Sequence, residues 1–270
     1  MPRFAANLSW LYTEVPFDER PALAAADGFE AVECLFPYET LDAPHFHTLL
    51  KSCGLPLVLF NAPPGNWTQG ERGLACLPQR RAEFRQTLLD IALPYVEATH
   101  CPRLHIMAGI PPSETTQQQA LDCLLDNLAW ACQQTAGTGI GLVIEPINPV
   151  DMPGYFLTHQ AQAHQIVEQI GAPHLGVQMD LYHCHRVEGC VEELLHHYLP
   201  SGAIHHLQIA GYPGRHEPSA GSIPYPKLFA YLDQQRWMGY VGCEYHPETQ
   251  TRAGLARWKE TWHGPSIFHE

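Results

Sequence analysis

The sequence predicts one α/β domain over residues 1–270, folded as a (β/α)8 TIM barrel. Short apolar runs bounded by turn residues alternate with longer segments of helical period, a pattern typical of repeated βα units with parallel strands. Eight alternations follow one another without a long linker, a charge block or a low-complexity segment, which favours a closed barrel over an open sheet. A length of 270 residues is compatible with one barrel domain.

The elements of this barrel follow from the apolar pattern in chain order. The predicted strands are residues 4–8, 31–35, 57–60, 104–107, 142–145, 176–180, 204–209 and 240–244. The clearest predicted helices are residues 81–96, 115–134, 160–170, 191–198 and 226–235, several of which open on Ser, Thr or Pro. The long loops 61–78 and 148–158 follow strands three and five. Because loops after the strands form the active-site face of a barrel, we expect both to cover the site.

Charge and composition exclude several classes of partner. Fifteen Lys and Arg residues stand against 28 Asp and Glu residues, a formal net charge of -13 that opposes nucleic acid and anionic membranes. The first residues lack the pattern of a secretory signal, and no apolar run reaches the roughly 18 residues of a membrane span. The sequence therefore predicts a cytoplasmic protein whose nine cysteines, none in a CxxC pair, are reduced and mostly buried. The sequence is compatible with a homo-oligomer.

Four oxygen-bearing side chains occupy the ends of predicted strands five to eight: Glu145, Asp180, Gln208 and Glu244. They are separated by about one βα unit each, so a closed barrel would bring them to the same rim. Three carboxylates and an amide oxygen suit a hard cation, Mg²⁺ or Mn²⁺. Zinc is less favoured because no Cys or His quartet has its spacing.

Such a metal site could polarise a substrate carbonyl and stabilise the enediolate that forms when a neighbouring carbon loses its proton. Transfer of that proton to the next carbon needs a base and an acid within reach of the substrate. Glu145 and Glu244 are the predicted pair, because they would flank the metal from opposite sides.

Two side chains beyond the strand ends are predicted to bind substrate. His183 lies three residues after Asp180 and would leave the strand in a loop, pointing over the site as a hydrogen-bond donor. Arg215 lies in the loop after Gln208, where its planar fork fits a substrate carboxylate.

The loop over residues 61–78 offers a second cation and a cover. Arg72 is the candidate cation, and Trp67 is an apolar side chain that could exclude water. An ion pair of Arg72 with Glu71 or Glu83 is an equally reasonable interpretation.

Taken together, FAANLSW, NAPPGNWTQGERGLACLP, IEPIN, MDLYHCH, HLQIAGYPGRHEP and VGCEYHP resemble the hydroxypyruvate isomerase family of xylose-isomerase-like barrels over nearly the whole chain. The resemblance implies that Glu145 and Glu244 transfer protons, and that both bind the metal with Asp180 and Gln208. It implies a small anionic oxo-acid substrate, with interconversion of hydroxypyruvate and 2-hydroxy-3-oxopropanoate (tartronate semialdehyde). Close relatives instead isomerise 2-oxo-tetronate to 3-oxo-tetronate.

The chain departs from that family pattern in two places. His246 stands where a lysine is expected, and Met179 stands where a tyrosine is more usual before Asp180. The histidine removes one candidate cation beside Glu244.

Other functions on this barrel use similar residues. A sugar 3-epimerase would use two glutamates to exchange a proton on opposite faces of one carbon. A metal-dependent phosphodiester hydrolase of the endonuclease type would draw on some of the 17 histidines, but the net charge of -13 opposes binding to DNA. A non-catalytic binding protein would not need two metal-bound glutamates.

Overall fold

In the computed structural model, which describes residues 2–218 and 221–262, eight parallel strands close into one barrel. The strands are β1 Arg3–Asn7, β2 Ala31–Cys34, β3 Leu57–Asn61, β4 Arg103–His105, β5 Gly141–Ile144, β6 Leu175–Asp180, β7 Ile204–Ile209 and β8 Tyr240–Cys243. Each strand pairs with the next along the chain, and β8 closes on β1 with Val241 opposite Phe4. The predicted barrel is confirmed, and each predicted strand overlaps an observed one.

Helices surround this barrel. They are α1 Arg20–Ala26, α2 Ala43–Cys53, α3 Arg81–Thr87, α4 Leu93–Thr99, α5 Gln117–Thr135, α6 Gln160–Ile170, α7 Leu181–Glu188, α8 Val191–Tyr198, α9 Tyr225–Gln234 and α10 Thr251–Trp262. No helix in the described residues has both the length and the apolar character needed to cross a membrane. All nine cysteines are free, and seven of them are buried, as predicted.

The prediction of one continuous α-helix over residues 81–96 is wrong in two respects, because the helix is interrupted and it ends later. A π-helical turn, Leu88–Ala92, separates α3 from α4, and the backbone N–H of Leu93 donates to the carbonyl of Leu88. Pro94 has no N–H to continue the α-helical pattern, and its ring crowds the carbonyl four residues earlier. The wider turn accommodates the proline, and the helix continues to Thr99.

The loop predicted directly after Asp180 is wrong, because α7 begins at the next residue. The Asp180 carboxylate accepts hydrogen bonds from the backbone N–H groups of Tyr182 at 2.7 Å and His183 at 3.2 Å. Asp180 is therefore the N-cap of this helix, which ends where Gly189 adopts a left-handed conformation. His183 lies on the first helical turn, which fixes its direction.

The two long loops are held over the carboxyl ends of the strands by contacts with the backbone beyond β4, which agrees with the predicted cover. Gly73, in the loop after β3, forms an isolated bridge with Ala108 just beyond β4. Tyr155, in the loop after β5, contacts the same segment, because its hydroxyl oxygen accepts from the backbone N–H of Ala108 at 2.8 Å. Both loops thus converge on one short segment of chain.

The apolar core lies mainly between the strands and the helices. Much of the barrel interior is instead polar, and the side chains buried there come from different strands. They include Asn7, Glu33, Asn61, His105, Gln178, His206 and Gln208.

Candidate active site

The four strand-end residues predicted from the sequence lie at one end of the barrel. Glu145 directly follows β5, Asp180 ends β6, Gln208 lies in β7 and Glu244 directly follows β8. All four are buried. Asp180 is in register with Gln208, whose amide nitrogen donates to Oε2 of Glu244 at 2.6 Å.

The proton affinity of these carboxylates is raised by burial and mutual repulsion. Burial, together with the charges of Glu244 and Asp180, raises the pKa of Glu145 well above its usual value. The pKa of Glu244 rises to about 8, chiefly through burial and against the opposing effect of Arg215. Burial also raises the pKa of Asp180 to about 6. The cluster therefore holds protons near neutral pH, or binds a cation in their place.

The donor set fits a divalent cation. The Asp180 Oδ2 atom is buried without a hydrogen-bond partner in the described residues, and Glu145, Asp180 and His183 each bring one possible ligand atom within 4.8 Å of the others. Gln208 has less capacity to bind a metal than the carboxylates. Its Oε1 atom already accepts from Gln178 at 2.7 Å, which leaves one carbonyl lone pair for a metal. Three buried carboxylates with raised pKa values are a suitable environment for Mg²⁺ or Mn²⁺.

His183 is a hydrogen-bond donor in this arrangement, although its position would also suit a ligand. The Asn148 oxygen accepts from the N–H groups of Val150 and Asp151, so the Asn148 nitrogen faces His183 Nδ1 at 2.6 Å. A neutral ring that accepts at Nδ1 carries its proton on Nε2. Burial lowers the pKa of His183 well below its usual value, which keeps the ring neutral. The Nε2–H group points at Asp180 Oδ2, 3.7 Å away.

Arg215 lies beside the acids, as predicted for a cation near the site. Its Nη2 atom is 2.8 Å from Oε1 of Glu244 and 3.7 Å from Oδ2 of Asp180. The guanidinium lies over the Trp10 and Tyr182 rings, 4.6 and 5.3 Å from their centroids. Although burial opposes it, the neighbouring acids raise the pKa of Arg215, so it stays charged. Its φ of 57° is a left-handed conformation that few non-glycine residues adopt.

His246 occupies the space next to Arg215. Its ring packs on Trp10 with the centroids 4.0 Å apart, and its backbone N–H donates to the Arg215 carbonyl at 2.8 Å. Burial and the Arg215 charge lower the pKa of His246, so this side chain adds no positive charge. The cation that the family pattern would place here is absent from this position.

Arg72 and Trp67 line the same cavity, about 490 Å³ in volume, and contact each other. The Arg72 guanidinium stacks 3.9 Å from the centre of the Trp67 ring, and its Nη1 atom donates to the Trp67 carbonyl. The ion pair considered for Arg72 is not formed in the described residues, because Glu71 and Glu83 both pair with Arg80. Arg72 thus keeps its charge available to a ligand.

Sequence reasoning missed several polar residues beneath these groups. Gln178 donates to Glu145 at 2.9 Å and His105 lies 3.6 Å from the same carboxylate, while Glu33 bonds to Gln208 at 2.7 Å. Gln178 lies two residues before Asp180, on the same side of β6. A polar residue at that spacing within an otherwise apolar strand was the available signal.

The closed barrel carries acidic side chains at its carboxyl-terminal rim. The chain belongs to the xylose isomerase-like TIM barrel family, whose model matches residues 21–261. It is 48% identical to a 2-oxo-tetronate isomerase of Cupriavidus necator, over 94% of this chain and 96% of that protein. It is 39% identical to the hydroxypyruvate isomerase of Escherichia coli, over 97% of this chain and 100% of that one.

Among solved structures, one described as an AP endonuclease, family 2, from Brucella melitensis superposes with a TM-score of 0.91 at 44% identity, covering 96% of this chain and 99% of that chain. The resemblance found in the sequence is thus confirmed at the level of the family. The relatives identify this protein as an enzyme of the isomerase class.

Proposed function

We propose that the protein moves a carbonyl group between C2 and C3 of a short 2-oxo acid. The observation that carries this proposal is the pair of buried glutamates, Glu145 and Glu244, on opposite sides of Asp180 in the sequence of barrel strands. Both have raised pKa values, which suits groups that accept and return protons near neutral pH. A divalent cation held by Glu145, Asp180, Gln208 and Glu244 would polarise the carbonyl and balance the negative charge of the enediolate.

The proposed reaction requires three proton transfers, each between particular atoms. One glutamate removes the proton from C3, and the other, entering as a carboxylic acid, gives a proton to C2. Between these steps the O3 hydroxyl proton passes to O2, so C3 becomes the carbonyl carbon. The His183 Nε2–H group donates a hydrogen bond to the substrate oxygen and stabilises the negative charge of the enediolate. The glutamates regain their starting protonation through solvent.

Cationic side chains around the cavity are proposed to bind the anionic substrate. Arg215 is the proposed partner of the substrate carboxylate, since it is charged and borders Glu244. Arg72 is a second cation on the opposite loop, and Trp67 beneath it would keep water from the enediolate.

The preferred substrate is 2-oxo-tetronate, with hydroxypyruvate second. Both acids carry the same reacting C2 and C3 atoms and differ only in a hydroxymethyl group on C3. The sequence resemblance alone put hydroxypyruvate first. The 48% identity to a 2-oxo-tetronate isomerase, against 39% to a hydroxypyruvate isomerase, reverses that order.

Proton NMR in D₂O tests the proposal. Protein loaded with Mg²⁺ or Mn²⁺ should convert 2-oxo-tetronate, and more slowly hydroxypyruvate, into the isomer with deuterium at C2. Glu145→Gln should lower kcat by about 100-fold to 10,000-fold, the usual contribution of a general acid or base. Failure to convert either acid would refute the proposal.

The same experiment separates the competing functions. Deuterium incorporation with inversion at one carbon and no carbonyl migration would indicate a sugar 3-epimerase. The Brucella melitensis structure carries an endonuclease name, but a net charge of -13 disfavours DNA as a substrate here. Salt-dependent affinity for DNA would favour the nuclease. Turnover that is independent of any divalent cation would remove the metal from the proposal.

The cellular setting is proposed on the same grounds. We expect a cytoplasmic enzyme with a small-molecule substrate and without nucleic-acid or membrane partners, in line with its acidic charge.

A further inference from the structure

Glu33, in β2, is a fully buried carboxylate below the four rim residues. It accepts three hydrogen bonds. Its Oε1 atom accepts from Gln208 Nε2 at 2.7 Å and from Asn7 Nδ2 at 3.1 Å, and its Oε2 atom pairs with His206 Nε2 at 2.7 Å. Its two partners in β7, His206 and Gln208, lie 173 and 175 residues further along the chain.

Strand β8, which is separated from β2 by β1, leaves space for this carboxylate. A Cβ atom built on Gly242 in β8 would lie 2.3 Å from both Glu33 oxygens. Because real Cβ atoms do not approach that closely, a side chain at this position would displace the carboxylate. Glycine here is therefore part of the Glu33 site.

Two glutamine amides connect Glu33 to the two proposed proton-transfer residues. The Gln208 nitrogen faces Glu33 and Glu244, and the Gln208 oxygen accepts from the Gln178 nitrogen at 2.7 Å. The Gln178 nitrogen also donates to Glu145 Oε2 at 2.9 Å. We call Gln208 and Gln178 together the amide chain.

The direction of the amide chain follows from hydrogen-bond chemistry. Both Glu33 oxygens act as acceptors in these contacts, so the Gln208 group that faces them is the nitrogen, which can donate. A flipped Gln208 would set its oxygen against the Glu33 and Glu244 carboxylates and its nitrogen against the nitrogen of Gln178. Burial makes each such mismatch costly, because water cannot satisfy the groups.

We propose that Glu33 is a positioning residue that fixes the direction of the amide chain, so that Glu244 and Glu145 each receive an amide N–H on Oε2 and keep Oε1 for the substrate. Its catalytic consequence rests on the proposed isomerase function. Arg215 lies on Oε1 of Glu244, and His183 lies 4.0 Å from Oε1 of Glu145. The oxygen of each glutamate that receives no amide N–H therefore lies beside a side chain proposed to contact the substrate.

Two substitutions of Glu33 separate direction from charge. Glu33→Met keeps the length of the side chain but removes every acceptor. Glu33→Gln also removes the charge but keeps an oxygen for Gln208, while its nitrogen can donate to His206 once the proton of that ring moves to Nδ1. Only the methionine variant should release the amide chain.

The kinetic expectation is a selective loss of kcat. Glu33→Met should lower kcat about 100-fold, because a misplaced proton-transfer group costs roughly that much, with KM changed less than about 3-fold. Glu33→Gln should retain kcat within about 10-fold of the wild type, a rescue by the conservative variant. Glu217→Gln is the matched control: Glu217 is another buried carboxylate close against a glycine, Gly254, and its replacement should leave kcat unchanged.

Side-chain NMR of ¹⁵N-glutamine-labelled full-length protein gives a readout that needs no turnover. Gln178→Leu and Gln208→Leu assign the two signals. In the wild type, in Glu33→Gln and in Glu217→Gln, both side-chain amides should be protected from solvent exchange. In Glu33→Met both should shift and lose protection.

Unchanged amide signals and unchanged kcat in Glu33→Met would overturn the inference. Equal losses in the glutamine and methionine variants would also overturn it, because the charge of Glu33, not its acceptor geometry, would then matter. If Glu33→Met does not fold, the amide signals of Glu33→Gln decide: retained protection supports the inference and lost protection refutes it. Absence of wild-type turnover would refute the proposed function alone, and the amide signals would still decide the role of Glu33.

Discussion

At the scale of single residues, the protonation of His183 depends on one amide. Asn148 is oriented by two backbone N–H groups, and this orientation leaves its nitrogen facing Nδ1 of the ring. The proton on Nε2, and with it the ability of His183 to donate to a substrate oxygen, follows from that contact.

Asn148→Asp should reverse this arrangement. An aspartate keeps an oxygen for the two backbone N–H groups but presents its second oxygen to Nδ1, which must then carry a proton. We expect kcat to fall about 100-fold to 1,000-fold, the usual effect of losing one hydrogen-bond donor to a developing oxyanion. The ¹⁵N shifts of the His183 ring report the change directly. An unaltered tautomer in the variant would contradict the assignment.

Arg215 sets a second prediction at this scale. Arg215→Lys should raise KM for the oxo acid about 10-fold or more while lowering kcat less, because an ammonium group cannot give the bidentate, stacked contact of a guanidinium. Steady-state kinetics with both candidate substrates measure the effect. Arg257→Lys, at an exposed ion pair with Glu248, is the control and should match the wild type. An unchanged KM in Arg215→Lys would contradict the role of Arg215. The next candidate to bind the substrate carboxylate would then be Arg72.

At the scale of elements, the loop after β3 is fixed by a glycine. Gly73 has a φ of 120°, and a Cβ atom there would lie 2.4 Å from the Met107 carbonyl oxygen. The bridge between this loop and the end of β4 therefore requires glycine, and the bridge positions the segment that carries Arg72 and Trp67.

Gly73→Ala should lower the free energy of unfolding by about 2–3 kcal/mol, since both a strained φ and a backbone clash must be relieved. Gly70→Ala is the matched control, with a φ of 90° and open space around the added Cβ. It should lower the free energy by only about 1 kcal/mol. Chemical denaturation measures both values. Equal losses in the two variants would show that the contact with Met107 does not matter.

At the scale of the whole molecule, the buried acids link stability to pH and to cations. Glu244 has a pKa of about 8 in the folded protein, above the value near 4.5 of an unburied glutamate. The folded state therefore binds more protons than the unfolded state between these values, and stability without a cation falls as pH rises from about 4.5 to 8.

A divalent cation should offset this loss, because it binds the deprotonated carboxylates. We expect Mg²⁺ or Mn²⁺ to raise Tm in the protein freed of metal by chelation, and to raise it more at pH 8 than at pH 5. Differential scanning calorimetry at several pH values measures the shift. Glu145→Gln should reduce the cation effect. An equal rise in Tm at both pH values would contradict cation binding at these acids.

The barrel and the acids at its rim could be predicted from the amino-acid sequence. Apolar runs and helical segments are local patterns, and a polar residue at the end of each of four successive strands reaches the same rim in any closed parallel barrel. The sequence pattern therefore predicts that four side chains lie together: Glu145, Asp180, Gln208 and Glu244.

The atoms that face each other within that rim could not be predicted in this way, because they depend on how the folded chain orients its side chains. Three contacts depend on the directions of side chains that the fold brings together. They are the hydrogen bond between Glu33 and Gln208, the contact that leaves the proton on His183 Nε2, and the stacking of Arg72 on Trp67. The start of α7 immediately at Asp180, and the π-helical turn before Pro94, were missed because caps and steric crowding override the average pattern of a segment. Hydrophobic period specifies where an element lies, whereas hydrogen-bond direction is settled by contacts between elements.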